Sequence, residues 1–181
     1  VCIINSKVFA ADGDIVRFCA TANPLDWTSS NDAGYLPTGL QQANANDMAV
    51  LYPYRGNLCA WNANCFQMWQ TDPDPAQMAL LDQMDGIGSS HPLAARAVGN
   101  ELYFLANQGI RSVGIANAAQ NLQAGDVGMP IDVLVQAAMV QAAIDGKKAI
   151  STYWPGMGQY WLCFGDDGET AGAGGALELL C

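Results

Sequence analysis

An internal repeat is the feature of this sequence that most limits what it can fold into. Four short apolar and aromatic runs each follow a turn dipeptide that begins with glycine. Equivalent positions are Ile15, Leu58 and Leu102, which recur at steps of 43 and 44 residues, and the last step, to Tyr160, is 58. Glycine followed by Asp, Asn or Gln is typical of tight hairpins. The runs are residues 14–18, 57–61, 101–105 and 159–164.

Short strands that recur about every 40 to 50 residues are typical of β-propeller blades. The second and third runs are each followed by a polar turn and another apolar run, which indicates consecutive antiparallel strands. We therefore predict a mainly β protein with a β-propeller-like domain of about four blade repeats over residues 1–165. A β-sandwich with irregularly spaced hairpins is the alternative. Because most closed propellers use more blades and the sequence starts at Val1, we expect a fragment of a larger protein.

Three segments depart from the repeat. Residues 131–144 predict an inserted helix, with Asp132 in its first turn and Gly146 just after its end, and this insertion accounts for the long last step. Residues 76–84 fit either a short helix or an outer strand. Residues 166–181 form a Gly-rich acidic tail of unclear role, with the composition of a flexible loop. The predicted apolar stripe of the helix is Ile131, Leu134, Val135, Ala138 and Ala142.

The charge balance excludes several classes of function. The 181 residues contain 17 Asp and Glu against 7 Lys and Arg, a net charge of -10. So few scattered cations cannot form the basic patch that nucleic acids or anionic membranes require. No apolar run is long enough to span a membrane, and no signal peptide is visible.

The six cysteines are dispersed, without a Cys-x-x-Cys spacing, and His91 is the single histidine. This pattern favours buried, reduced thiols over a disulfide framework, and it disfavours zinc. Glycine-rich stretches lack the ending of a phosphate loop.

Candidate catalytic groups have a structural interpretation in each case. Asp72 and Asp74 could be a glycosidase pair, but Asp-Pro-Asp-Pro is primarily a rigid turn. Asp166 and Asp167 lack the ligand spacing of a calcium loop. His91 precedes a proline in a loop, without a nucleophile motif to pair with. We therefore predict no catalytic, cofactor-binding or metal residue. Strand tryptophans could line a sugar-binding face, but they favour a place in the core. They are Trp61, Trp69, Trp154 and Trp161.

Several segments, taken in order, resemble a known family. The segments are residues 17–18, 23–28, 32–37, 54–58, 67–69, 86–88, 98–105 (Val-Gly-Asn-Glu-Leu-Tyr-Phe-Leu) and 109–112. Their order and spacing are similar to those of the β-propeller of phage and prophage tail proteins, such as the tail-hub and packaged-DNA-stabilising proteins of short-tailed phages. The resemblance covers about residues 7–165.

This resemblance implies a structural protein of the bacteriophage virion rather than an enzyme. It implies a homo-oligomeric ring at the head-to-tail connector, assembled in the host cytoplasm, that contacts portal, adaptor and tail proteins. DNA would leave through the ring during ejection without specific binding, because the acidic chain would repel the negatively charged DNA. Two alternatives are a receptor- or glycan-binding propeller and a propeller-type hydrolase. Acidic residues expected to face the DNA are among Asp12, Asp14, Asp72, Asp74 and Asp126.

Overall fold

Antiparallel sheets dominate the structure, a computed structural model that describes residues 1–42, 46–116, 121–165 and 178–180. The mainly β fold expected from the sequence is confirmed, since the strands of these residues form four antiparallel sheets in which each strand pairs with the next one along the chain. The first sheet contains β1 (Cys2–Ile4), β2 (Lys7–Asp12), β3 (Ile15–Phe18) and β4 (Gly34–Leu36). The second contains β5 (Val50–Tyr54), β6 (Asn57–Trp61), β7 (Cys65–Gln70) and β8 (Ala79–Asp85). The third contains β9 (Ala95–Val98), β10 (Glu101–Ala106), β11 (Gly109–Ala116) and β12 (Asn121–Gly125), and the fourth β13 (Lys148–Trp154), β14 (Gln159–Gly165) and β15 (Glu178–Leu180).

The four glycine turns predicted from the sequence all join antiparallel strands. Gly13, Gly56, Gly99 and Gly158 have φ values of 61, 78, 58 and 67°, in the left-handed region that glycine enters without a steric penalty. Each turn closes a hairpin between consecutive strands. Local turn chemistry therefore fixed these boundaries.

The first copy of the repeat is nevertheless out of step with the others, which corrects the sequence alignment. Gly13 lies between the second and third strands of its sheet, whereas the other three glycines lie between the first and second strands. In the first sheet that earlier hairpin is closed by Asn5 and Ser6, both at positive φ. Because this turn contains no glycine, the sequence pattern did not reveal it, and the first copy of the repeat was aligned one strand too late.

Contacts divide the chain into two compact units, and the first is formed by Val1–Ser90. In it the first and second sheets share an apolar core, and β1 contacts β5. Beside this core, Trp61 is fully buried and meets Phe66 edge-on, with ring centroids 4.7 Å apart. The shared core includes Phe9, Val16, Phe18, Leu51, Leu58 and Trp69.

The second unit is formed by His91–Ala116 and the chain from Gln123 onward. The third and fourth sheets share a core with the helix α1 (Asp132–Ile144), and β9 contacts β13. The predicted helix is confirmed almost to the residue, but its predicted stripe is wrong in part. Val135 and Ala142 are buried and Ala138 is partly buried, whereas Leu134 and Ile131 are exposed.

The ambiguous segment at residues 76–84 forms a short 3-10 turn, Pro75–Gln77, and then the outer strand β8. The pairing of β7 with β8 shifts register between Met68 and Trp69, which explains why apolar residues alternate imperfectly along β8. Of the predicted tail, Glu178–Leu180 pairs with β14 as β15, and residues 166–177 and 181 lie outside the described residues.

Candidate functional site

The acidic pair that could have been catalytic holds a turn between β7 and β8. The Asp72 Oδ1 accepts a hydrogen bond from the backbone N–H of Asp74 at 2.9 Å. The Asp74 Oδ1 accepts one from the Ala76 N–H at 3.0 Å and so caps the 3-10 turn that follows. Both carboxylates therefore have a local structural role. Asp166 and Asp167 lie outside the described residues.

The other candidate for acid-base chemistry, His91, is partly buried, and burial lowers the pKa of its imidazole. The neutral ring is thus favoured near pH 7. Within the described residues, no three His, Cys, Asp or Glu side chains are grouped closely enough to hold a metal ion. In the same part of the chain, we find no helix with the length and apolar character needed to cross a membrane.

The cysteines that the structure places in the first unit are buried free thiols, as the sequence favoured. Burial raises the pKa of Cys2 and of Cys65 to about 11, and it raises the pKa of Cys59 as well. Thiols with such pKa values stay protonated at neutral pH and are poor nucleophiles. The buried free thiols of the first unit are Cys2, Cys19, Cys59 and Cys65.

A buried charge lies in the first sheet, at Lys7. The Lys7 side chain is fully buried, and its Nζ donates to the backbone oxygens of Cys19 at 3.3 Å and Asp32 at 2.5 Å. It also pairs with the Asp32 carboxylate at 2.5 Å and lies 5.3 Å from the centre of the Phe18 ring. The ammonium group therefore uses its donors within the protein.

Asp32 completes this network from the loop before β4. Its carboxylate accepts hydrogen bonds from the N–H and the hydroxyl of Thr21, at 2.8 and 2.7 Å. The hydrogen bond from Lys7, with smaller contributions from Thr21, lowers the pKa of Asp32 to about 2. The network ties β2 to a long loop, and its groups are already satisfied by one another, so it has the character of a structural clamp rather than a reactive centre.

A second ion-pair cluster, in the second unit, fixes the start of α1. Arg111 on β11 donates from two guanidinium nitrogens to the two carboxylate oxygens of Asp132, at 2.9 and 2.8 Å. Its Nε also lies 3.0 Å from a carboxylate oxygen of Asp126. The pairing with Asp132 raises the pKa of Arg111 and lowers that of Asp132. Asp126 is therefore partly neutralised within its own chain.

An open apolar groove of about 530 Å³ lies in the first unit, between the outer strands β4 and β8. Its lining contains no charged side chain, so the groove has no group suited to acid-base catalysis or to binding an ion. Side chains that line it include Phe18, Tyr35, Leu36, Trp69, Met78 and Leu80.

The first sheet has one face in the core and one face open. Strand pairing puts Ile3 opposite Val8, and Arg17 opposite Tyr35, so these four side chains share the face away from the core. Ile3 is 71% exposed, and Tyr35 is exposed as well. Arg17 is paired with Asp12. We call this surface the first open face.

The fourth sheet also has an open face, which holds two of the predicted tryptophans. Thr152 lies opposite Trp161 and shares its side of the sheet with Ile150 and Trp154. Trp154 is 48% exposed and meets Trp161 edge-on, with ring centroids 6.0 Å apart. We call this surface the second open face. The core interpretation of the tryptophans thus applies to Trp61 and Trp69 but not to Trp154.

Both open faces combine apolar or aromatic side chains with few charges, which is the composition of surfaces that bind other proteins. Neither open face was predicted from the sequence, because the strand tryptophans were assigned to the core and Ile3 lies outside the repeat runs. Comparisons with known proteins give no further guidance: no family model matches this sequence, and no curated protein matches it.

Proposed function

We propose that this chain is a structural component of a phage tail or head-to-tail connector, with propeller-like blades that assemble into a ring around or beside the path of the DNA. The proposal joins the sequence resemblance to tail-hub and DNA-stabilising proteins with the first and second open faces. The partners would be further copies of the chain and the portal, adaptor and tail proteins. The site of action would be the virion.

The observation that carries the proposal is the pair of open faces on the first and last sheets. Within each unit, two sheets already pack through apolar cores, and their first strands meet. Radially arranged blades pack in this manner, each sheet on the next. A chain whose terminal sheets each keep an uncovered face can continue the series with the corresponding faces of another copy. Head-to-tail contacts of this type close into rings when the rotation permits.

The charge of the chain supports a passive role toward DNA. A net charge of -10 opposes binding of a polyanion. The five acidic residues suggested for the channel do not contribute equally, because Asp12 and Asp126 are ion-paired and Asp72 and Asp74 hold a turn. Asp14, which is exposed, is the strongest remaining candidate for a residue that repels DNA.

The experiment uses one substitution on each open face. Ile3→Asp places a charge on the first face and Trp154→Asp on the second, and both positions are exposed enough to leave the cores intact. We expect each variant alone to lose the ring, because every head-to-tail contact needs both faces. An equal mixture should regain one contact per pair of chains, between the intact second face of one variant and the intact first face of the other.

The control is Leu25→Asp, at an exposed apolar residue that belongs to neither face. It should assemble like the wild type in light scattering coupled to size-exclusion chromatography. Rings in either face variant, or a mixture with no contact between the two variants, would contradict the proposal.

A glycan-binding function remains the second candidate, because the exposed Trp154 beside Trp161 is the kind of aromatic surface on which sugar rings stack. A glycan array distinguishes the two functions. Glycan binding that Trp154→Asp abolishes, in a wild type that stays monomeric, would favour this candidate over assembly.

A further inference from the structure

The helix α1 carries a second apolar stripe, on the side opposite to the one it buries. Val133, Ala137, Val140 and Ile144 follow one another at spacings of 4, 3 and 4 residues, which places them along one side of a helix. Val133 is 81% exposed, Val140 63% and Ile144 73%. We call these four residues the seam. The helix thus has one apolar side in the core of the second unit and another in solvent.

The seam is free of charge in a chain that is strongly acidic. No charged residue lies between Asp132 and Asp145 in the sequence. Asp132 is held by Arg111, and Asp145 lies 3.6 Å from Lys147 and accepts a hydrogen bond from Gln141. The acidic groups at both ends are therefore compensated inside their own chain. Two copies that approach along this surface therefore meet less local repulsion than they would elsewhere on the acidic chain.

We propose that the seam binds the seam of a second copy, with the two helices antiparallel. The stripe is nearly symmetric about its centre, so an antiparallel pair would bring Val133 against Ile144 and Ala137 against Val140. Small Ala137 side chains near the centre permit a close approach of the helices, and the antiparallel arrangement opposes their dipoles. The contact is isologous, which distinguishes it from the head-to-tail contact between open faces. It does not rest on the proposed function.

The length of the helix limits the size of the contact. Thirteen residues correspond to roughly 20 Å of helix. A seam of this length is smaller than the interface of a permanent dimer, so we expect a weak and reversible pairing.

The first test replaces two residues of the seam. A Val133→Lys and Val140→Lys double variant should be displaced toward monomer in sedimentation equilibrium, since both positions point into solvent and would bring like charges together. The matched control is Leu25→Lys with Leu40→Lys, two exposed apolar residues outside the helix. It should associate like the wild type. Circular dichroism checks that the helix is retained. The measurement is repeated in the Ile3→Asp background, where the head-to-tail contact is lost and any remaining association comes from the seam.

The second test determines the direction of the helices. In an antiparallel pair, Val133→Cys should form a disulfide with Ile144→Cys when the two variants are mixed. Neither variant should form a disulfide with a second copy of itself. In such a pair, the two copies of either cysteine are separated along the helix axis by the length of about 11 residues, which is too far for a disulfide. The wild type controls for its own cysteines. Self-crosslinking of either variant, equal association of the lysine variant and the wild type, or a seam that binds lipid vesicles while the chain stays monomeric would overturn the proposal.

Discussion

Lys7 illustrates how a single residue can be decisive in this fold. A lysine within an apolar strand is costly to bury unless its charge is paired, and here Asp32 and two backbone oxygens provide the partners. The sequence offers a weak signal that Lys7 is buried, since Lys7 lies two residues before the buried Phe9 and so on the same face of the strand. It offers no signal for Asp32, which is 25 residues away in an irregular loop.

We predict that Asp32→Asn lowers the free energy of unfolding at neutral pH and that the deficit shrinks in acid. The pKa of Asp32 is about 2 in the folded protein, below its ordinary value of 3.8. The unfolded chain therefore takes up the proton first as the pH falls, and the stabilisation present above about pH 4 is lost as the pH approaches 2. Urea unfolding of both proteins across this range measures the difference.

Because Lys7 is the main cause of the lowered pKa, the same substitution in a Lys7→Met background should show a smaller dependence on pH. A deficit that stays constant between neutral pH and pH 2 would contradict this assignment.

At the scale of the element, hairpins and the helix could be predicted from the sequence to different depths. The glycine turns were found because glycine alone enters positive φ without strain, whereas the hairpin at Asn5 and Ser6 uses residues that are common elsewhere. The limits of α1 followed from its start and stop signals. The buried side of the helix could not be predicted in this way, because apolar residues lie on both sides. Only the contacts with β11, β13 and β14 decide between the two sides.

The Asn5–Ser6 hairpin leads to a prediction about stability. Ser6 has a φ of 62°, so Ser6→Gly should relieve backbone strain and raise the free energy of unfolding by about 0.5–1 kcal/mol. The matched control is Gly56→Ala, at a φ of 78° in the equivalent hairpin of the second sheet.

An added Cβ at Gly56 meets no neighbouring atom within 4 Å, so the control isolates the backbone effect. It should lower the free energy of unfolding by about 1 kcal/mol. If chemical denaturation shows that both substitutions change the free energy of unfolding in the same direction, turn conformation does not control these hairpins.

For the whole molecule, the mainly β class and the antiparallel order of the strands could be predicted from the repeat, but the two open faces could not. Period and turn signals report which residues form strands, while exposure depends on what each sheet packs against. Ile3 and Trp154 look like core residues in the sequence, and only the paired registers place them on open faces. Their exposure supports the proposal that copies of the chain assemble through these faces.

Native mass spectrometry of the wild-type chain, from micromolar to millimolar concentrations, tests this account most directly. Head-to-tail contact between open faces predicts a closed oligomer with one dominant copy number at the higher concentrations, and this species should disappear in both Ile3→Asp and Trp154→Asp. A chain that stays monomeric over the whole range, or an oligomer larger than the seam dimer that both substitutions leave intact, would contradict the claim that the open faces build a ring.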